Sequence, residues 1–240
     1  MRPDYNRYEQ NNVSPITSCT VSGGVFCCFD TLKDSEKELL EKSIVQVKYN
    51  KGEIICKQGA FASHIIYLRE GLAKIYIESN QNSLVLKIVS SESLIGLPSV
   101  LEGNTVFQYS AMAYQDSMID LVDMDVFRKL LKQNAKFAYE IINTMSENMI
   151  QVFGRFYCLT NKQSYGRFAD IICCLSERVY KSHKFKLSVS RKDLSELTGL
   201  SVESVSRIIK EFKNDDLINI NGKEIEILNI DALRQISERG

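Results

Sequence analysis

The segment from Ser190 to Lys213 reads SRKDLSELTGLSVESVSRIIKEFK and predicts two short helices joined by a turn. Ser190, followed three residues later by Asp193, has the spacing of a capping box, which starts the first helix. Gly199 supplies the tight turn. Ser201 is a good N-cap for a second helix that ends near Lys213. Two helices at this spacing predict a helix-turn-helix.

A β-hairpin is predicted directly after these helices. Residues 217–227 read LININGKEIEI, in which apolar and polar residues alternate around Asn221-Gly222. This dipeptide is typical of a type I′ turn, because both central residues of that turn need positive φ. A hairpin after a helix-turn-helix predicts a winged helix-turn-helix.

Charge supports a nucleic-acid role for this part of the chain. The whole chain has 30 basic and 30 acidic residues. Between Thr160 and Lys213, however, eleven Lys or Arg residues face six Asp or Glu residues. Such a basic segment on an otherwise acidic protein favours contact with phosphates, although a solvated charged surface has the same composition.

The second helix of the motif has an apolar face and a polar face. We expect the apolar face to pack; it carries Val202, Val205, Ile208, Ile209 and Phe212. On the other face, Arg207 can form a bidentate bond with guanine, Glu203 can accept from the cytosine amino group, and Ser206 lies beside them. The candidates for phosphate contacts are Arg191, Lys192, Ser201, Ser204 and Lys210.

The central part of the chain has the two-residue period of β-strands. From Val45 to Asp125, short apolar-polar alternations are separated by glycines. We expect strands at residues 44–49, 53–57, 65–69, 72–78, 84–89, 93–95, 108–113 and 117–123. Their spacing leaves no room for crossover helices, so the pattern predicts a small antiparallel barrel or roll.

A long helix follows, and its apolar residues are spaced alternately by four and three positions. It is predicted from Ala135 to about Leu159, and a second helix from Gln163 to Tyr180. The spaced residues are Ala138, Ile142, Met145, Met149, Val152, Phe156 and Leu159. This spacing is typical of a coiled-coil seam and favours a homodimer over a helix buried within a monomer.

These segments divide the chain into four parts. We expect a flexible cysteine-containing arm over residues 1–28, a β-roll sensor domain over 29–130, a dimerisation helix over 131–160 and a winged helix-turn-helix domain over 161–240. The fold class is therefore α+β. The polar start of the chain lacks a signal-peptide core and no apolar run is long enough for a membrane span, so the expected location is the cytoplasm.

Most of the chain resembles the Crp/Fnr family of bacterial transcription regulators. The resemblance covers Phe29 to Leu233 and is most specific in SRKDLSELTGLSVESVSRIIKEFKNDDLINING, where Glu203-Ser-Val-Ser-Arg207 matches the Glu-x-x-Ser-Arg pattern of the Fnr branch. Lys51-Gly-Glu-Ile-Ile55, Gln58-Gly59, Tyr67-Leu-Arg-Glu-Gly71 and Lys74-Ile-Tyr76 follow the family's cyclic-nucleotide-binding-like roll. The resemblance implies an inverted DNA repeat with TTGA-like half-sites, read by Glu203, Ser206 and Arg207, and RNA polymerase as a partner.

The cyclic-AMP contacts of the family are not matched. Members that bind cyclic AMP carry a Gly-Glu pair and an Arg-Ser or Arg-Thr pair. Here Gly96 precedes Leu97, and the second pair falls at Phe107-Gln108. A buried phosphate without its arginine is an uncompensated charge, so we expect no cyclic AMP in a pocket at these four residues.

The Fnr branch also holds an iron–sulfur cluster, and the resemblance implies such a cluster as one of two alternatives for this chain. The candidate ligands are Cys19, Cys27, Cys28 and, at the position of the family's roll cysteine, Asp120. Their spacing departs from that of Fnr, and the alternative is ordinary or redox-reactive thiols. Packing is expected for Cys56, Cys173 and Cys174. The two histidines, His64 and His183, lie in no haem motif, so the effector stays unidentified.

Two other functions compete with DNA binding. A roll of this kind can serve as a ligand-binding regulatory module without DNA binding, but the winged helix would then have no role. An enzyme is not expected, because the chain shows no nucleophile–base pair, phosphate loop or metal-protease motif.

Overall fold

The computed structural model describes residues 21–22, 28–78 and 83–240. Within these ranges the chain forms two β-sheets, a long helix and a small helical domain with a three-stranded sheet. The predicted α+β class is confirmed, with a β-roll followed by a long helix and a winged helix-turn-helix.

The roll consists of two facing sheets. One has the order β1-β6-β5-β8-β3 and the other β2-β9-β4-β7. The strands are β1 (Val21–Ser22), β2 (Ile44–Tyr49), β3 (Ile54–Cys56), β4 (His64–Glu70), β5 (Leu72–Glu78), β6 (Ser83–Ser90), β7 (Ser93–Ile95), β8 (Ser110–Ala113) and β9 (Ser117–Asp123). Among the strands of the described residues, only β1 pairs in parallel, with β6. The predicted strands lie within two residues of the observed ones at each end.

Three helices flank the roll: α1 (Asp34–Lys42), α2 (Met124–Gln133) and α3 (Ala135–Asn161). Helix α2 was not predicted from the sequence, although Asp123 caps it by accepting from the backbone N–H groups of Asp125 and Val126. Asn134 separates α2 from α3 and caps the longer helix through Lys136 and Phe137. Helix α3 is 27 residues long and extends two residues beyond the predicted end at Leu159.

The C-terminal part contains α4 (Ser164–Cys174), β10 (Lys184–Lys186), α5 (Arg191–Thr198), α6 (Val202–Asn214), β11 (Ile218–Asn221), β12 (Glu224–Ile227) and α7 (Ile230–Arg239). Residues Leu175–Tyr180 continue α4 as a π-helix, where an uninterrupted α-helix was expected. Neither β10 nor α7 was predicted from the sequence.

The wing is a hairpin, but its turn lies one residue later than predicted. Asn221 pairs with Glu224 in the ladder, so Gly222 and Lys223 form the loop. Gly222 has φ of 60°, whereas Lys223 is not among the residues with positive φ. A glycine at the first loop position is typical of a type II′ turn, and the expected type I′ turn at Asn221-Gly222 is wrong.

The hydrophobic core of the C-terminal part continues onto the roll. Leu72 and Tyr76 of β5, Val85 and Ile88 of β6, and Tyr114 belong to the same buried cluster as the helix-turn-helix. A second buried cluster fills the interior of the roll and reaches α3 at Phe137 and Ile141. The winged helix-turn-helix therefore packs directly on the outer face of β5 and β6.

Lys87 is a buried charge between the roll and α3. Its side chain is 9% exposed, and its ammonium donates to Asn148 Oδ1 at 2.5 Å. Burial lowers the pKa of Lys87 from 10.5 to about 8, because an amide is a weaker partner for the ammonium than bulk water. The charged lysine therefore destabilises the fold at neutral pH.

Lys87→Met should raise the free energy of unfolding at pH 7 by about 1–3 kcal/mol. Since the folded pKa lies below the unfolded one, the wild type should gain stability relative to Lys87→Met as pH rises from about 8 to about 10.5. Urea unfolding at several pH values measures this. Lys48→Met, at an exposed position of β2, is the control, and equal pH profiles for wild type and Lys87→Met would contradict the assignment.

Candidate nucleic-acid interface

Helix α5 begins with the predicted capping box. Ser190 Oγ accepts from the N–H of Asp193 at 3.1 Å, and Asp193 Oδ2 accepts from the N–H of Ser190 at 2.8 Å. Gly199 ends the helix in the left-handed region, with φ of 64°. Both local predictions are confirmed, and they fix where the second helix starts.

Helix α6 turns one face to the core and the other to solvent. Val205, Ile208, Ile209 and Phe212 are buried, and Phe212 packs edge-on against Phe168 with ring centroids 5.5 Å apart. Val202, which was expected in this packed stripe, is 39% exposed because it lies in the first turn, beyond the core.

The three predicted base-reading residues lie near the start of α6. Glu203 and Arg207 are exposed, and Ser206 is half-buried. Hydrogen bonds from its own backbone N–H and from Ser201 hold the pKa of Glu203 below its usual value. Glu203 is therefore an acceptor at neutral pH, as contact with a cytosine amino group requires.

The structure also brings a predicted phosphate residue to this face. Arg191 Nη1 donates to Ser206 Oγ at 3.3 Å, while Ser206 donates to the carbonyl of Val202 at 2.8 Å. Thus α5 and α6 are tied at the exposed surface. Lys192 and Lys210 are also exposed and lie on the same two helices.

Two of the predicted phosphate contacts have a local role. Ser201 Oγ accepts from the N–H of Ser204 at 3.1 Å, which caps α6, and lies 3.2 Å from Ser204 Oγ. These hydroxyls stabilise the start of the helix, so the basic side chains are the stronger phosphate candidates.

Three of the four predicted effector residues, Gly96, Leu97 and Phe107, lie together in the roll, and Gln108 does not. The ring of Phe107 packs over Gly96, where a Cβ would lie 3.1 Å from Phe107 Cε1. Leu97 and Phe107 are buried, and the N–H of Gly96 donates to the Tyr109 hydroxyl at 2.8 Å. Gln108 is exposed instead and donates to Asn104 Oδ1 at 2.8 Å.

The candidate cluster ligands do not form a metal site in the described part of the chain. Cys19 and Cys27 lie outside the described residues, and Cys28 is buried. Asp120 already accepts from Gln46 Nε2 at 3.0 Å and from Arg69 Nε at 3.0 Å, with Arg69 Nη2 also bonded to it. No group of three or more metal-binding side chains occurs among residues 21–22, 28–78 and 83–240. Asp120 thus does not fit the role of fourth ligand.

The cysteines outside the predicted ligand set are buried. Burial raises the pKa of Cys56 and Cys173 to about 12 and that of Cys158 to about 11, so all three stay protonated at neutral pH. Cys174 is also buried in the core of the C-terminal part, as the packing expectation required.

Comparisons with known proteins agree with this architecture. Residues 46–134 match the family model of the cyclic nucleotide-binding domain, and residues 166–236 match that of the Crp-like helix-turn-helix domain. The fumarate and nitrate reduction regulatory protein of Yersinia pestis is 25% identical over 91% of this chain and 88% of its own length. Electron transport regulator A of Shewanella oneidensis is 26% identical, over 91% of both chains.

The chain belongs to the Crp/Fnr family. As a member, it is a DNA-binding transcription regulator and not an enzyme. The alternative of a ligand-binding module without DNA binding is set aside, because the helix-turn-helix model matches the part of the chain that carries Glu203 and Arg207.

Solved structures share the fold of this Crp/Fnr regulator. A Crp/Fnr-family transcriptional regulator from Eubacterium rectale has a TM-score of 0.76 at 16% identity, over 89% of this chain and 98% of that one. The c-di-GMP responsive global regulator of Xanthomonas campestris has a TM-score of 0.72 at 18% identity, over 81% and 99%. Within the described residues, the regulator contains no helix that is both long and apolar enough to cross a membrane.

A buried lysine next to the interface was not predicted from the sequence. Lys74 of β5 forms ion pairs with Asp193 and Glu196 of α5. The sequence did carry a signal, because Lys74 lies between Leu72 and Tyr76 on the strand face that packs against the winged helix-turn-helix. A lysine on an apolar strand face indicates a buried charge that needs a partner.

Proposed function

We propose that this regulator binds an inverted DNA repeat as a homodimer, and that Glu203, Ser206 and Arg207 of α6 read TTGA-like half-sites. The observation that carries the proposal is the division of α6 into two faces. Val205 and Ile208 anchor it in the core, while Glu203 and Arg207 remain exposed at its start. A helix held in this way can enter the major groove with its first turns.

The phosphate contacts follow from the position of the basic residues. Arg191 and Lys192 are exposed at the start of α5, and Lys210 is exposed on α6. In a helix-turn-helix the first helix crosses the DNA backbone, so Lys192 fits a phosphate contact that positions without specifying sequence.

The dimer is supported by an apolar stripe along α3. Phe137 and Ile141 face the roll and are buried. The predicted seam lies on the neighbouring face, because Ala138 and Ile142 each follow one of these residues by one position, about 100° around the helix. Most of that seam is exposed in the single chain: Ile142 (59%), Met145 (44%), Met149 (58%), Val152 (44%) and Phe156 (68%). Ala138 and Leu159, at its ends, are half-buried. An exposed apolar stripe of this length marks a protein interface, and the 4-3 spacing fits a second copy of the same helix.

We further propose that cyclic AMP is not the signal. Phe107 packs over Gly96, and Leu97 lies where cyclic-AMP-binding members carry a glutamate. None of the four predicted positions carries a cation that could pair with the phosphate of cyclic AMP, and none carries a carboxylate that could bind its ribose. We propose instead that the signal is redox-related or linked to anaerobiosis. It could be sensed by an iron–sulfur cluster or by cysteine thiols. Purification of the protein without oxygen, followed by a visible spectrum and an assay of iron and sulfide, distinguishes these two sensors.

We also propose a protein partner and a cellular location for this regulator. A regulator bound at a promoter acts on RNA polymerase, which is therefore the expected protein partner, and both work in the cytoplasm. Reconstituted transcription from a promoter that carries the selected inverted repeat tests whether polymerase responds.

Changing Met149 and Val152 together to Lys should convert the dimer to monomers and abolish binding to the inverted repeat. Two charges per chain in an apolar seam would lose hydration without gaining a partner. Sizing with light scattering and a gel-shift assay measure both effects. Glu147→Lys, at an exposed position of α3 outside the seam, should leave the dimer intact. A dimer that survives the double change would show that the seam assignment is wrong.

Arg207→Ala should cost about 1–3 kcal/mol in DNA binding and relax the preference for one guanine in each half-site. Lys192→Ala should weaken binding to all sequences alike and reduce the salt dependence by about one charge per subunit. Selection from randomised sites, with half-site centres about 10 base pairs apart, compares the two variants with the wild type. The docking of α5 and α6 is incorrect if Arg207→Ala leaves base preferences unchanged, or if Lys192→Ala changes them at one position.

Cyclic AMP should neither raise the Tm of the regulator nor increase its affinity for DNA. A ligand that binds only the folded state raises stability by RT ln(1 + [L]/Kd), so the absence of a shift at millimolar ligand excludes useful affinity. Calorimetric titration and gel-shift assays with and without cyclic AMP measure this. Saturable heat in the micromolar range would overturn the proposal.

A further inference from the structure

Lys74 joins the roll to the first helix of the DNA-binding motif. It lies on β5, and its side chain is only 6% exposed. The ammonium lies 2.7 Å from Glu196 Oε2 and 3.1 Å from Asp193 Oδ1. Both carboxylates belong to α5, so one buried lysine bonds two turns of this helix to the sheet.

The surroundings exclude water from these ion pairs. The ammonium lies over the rings of Tyr76 and Tyr114, 5.1 Å and 5.5 Å from their centroids. The side chains of Asp193 and Glu196 are 19% and 12% exposed. Ion pairs shielded in this way are sensitive to geometry, because a carboxylate that moves away leaves an uncompensated buried charge.

Helix α5 is divided by charge. Its acidic residues, Asp193 and Glu196, face the roll, whereas Arg191 and Lys192 are exposed. Asp193 also accepts from Ser190 at the start of the helix. The contact with Lys74 therefore holds the end of α5 that carries the predicted phosphate contacts. A second bond, from Lys51 Nζ to the carbonyl of Ser188 at 2.7 Å, ties the preceding loop to the roll.

We propose that Lys74 is a positioning residue for DNA binding: it fixes the orientation of α5 and α6 on the roll, and so sets the half-site spacing that the dimer accepts. The inference rests on the proposed binding of an inverted repeat by a homodimer. Each α6 then reads one half-site, and the separation of the two helices depends on how each winged helix-turn-helix sits on its own roll. Lys74 itself touches no base or phosphate.

The test compares the full-length Lys74→Met variant with the wild type on operators whose half-site spacing is changed by one or two base pairs either way. Single half-site duplexes serve as the reference. Lys74→Met should bind a half-site within about twofold of the wild type. At the optimal spacing its affinity should fall about tenfold, because the second half-site is no longer held at a high effective concentration. Its preference among spacings should flatten.

Two variants control for charge and packing. Lys74→Arg keeps the ion pairs and should retain the spacing preference. Lys48→Met removes a positive charge from an exposed position of the other sheet and should behave as the wild type. If Lys74→Met does not fold, as judged by circular dichroism, Glu196→Gln replaces it: this variant keeps the capping box and should show the same change at smaller size.

An unchanged spacing preference in folded Lys74→Met, or in Glu196→Gln where that variant replaces it, would overturn the proposal. An equal loss on half-sites and full sites would also overturn it, because that pattern indicates a purely structural role. If the proposed binding of an inverted repeat by a homodimer is itself wrong, the result is different: the wild type would bind two half-sites no more tightly than one, at any spacing.

Discussion

The structure depends on a helix that is apolar on two neighbouring faces. Phe137, Ile141 and Cys158 of α3 are buried within the chain, while Ile142, Met149 and Phe156 are exposed. Helix α3 spans 27 residues, or about 40 Å at 1.5 Å per residue, and passes from the roll to the winged helix-turn-helix. One face therefore organises the domains of a single chain, and the neighbouring face is left to pair two chains.

Local patterns predicted most of the fold. The two-residue period located eight strands of the roll, and the capping residues Ser190 and Ser201 located α5 and α6, because both signals depend on neighbours within a few positions. The errors occurred where a weak local signal competes with tertiary packing. Helix α2 is only 10 residues long, and the wing turn shifted by one residue because the ladder registers Asn221 against Glu224.

The site was less predictable, because its details join residues far apart in sequence. The exposure of Glu203 and Arg207 follows from the period of α6 and was anticipated. The bond between Arg191 and Ser206 was not, nor was the pairing of Asp120 with Arg69, which removes that carboxylate from any ligand set. Lys74 and Glu196 are 122 positions apart. No periodicity in the sequence reports a contact of this range, although a lysine on an apolar strand face shows that one is needed.

Gly199, between α5 and α6, is constrained twice. Its φ of 64° is a conformation that most side chains avoid, and a Cβ there would lie 3.1 Å from Leu159 Cδ2. Leu159 is the last residue of the α3 seam, so the turn that starts the recognition helix touches the end of the surface we assign to the second subunit. A side chain at position 199 would have to adopt positive φ and displace Leu159 Cδ2 by a few tenths of an ångström, so a change in this turn reaches the end of the seam.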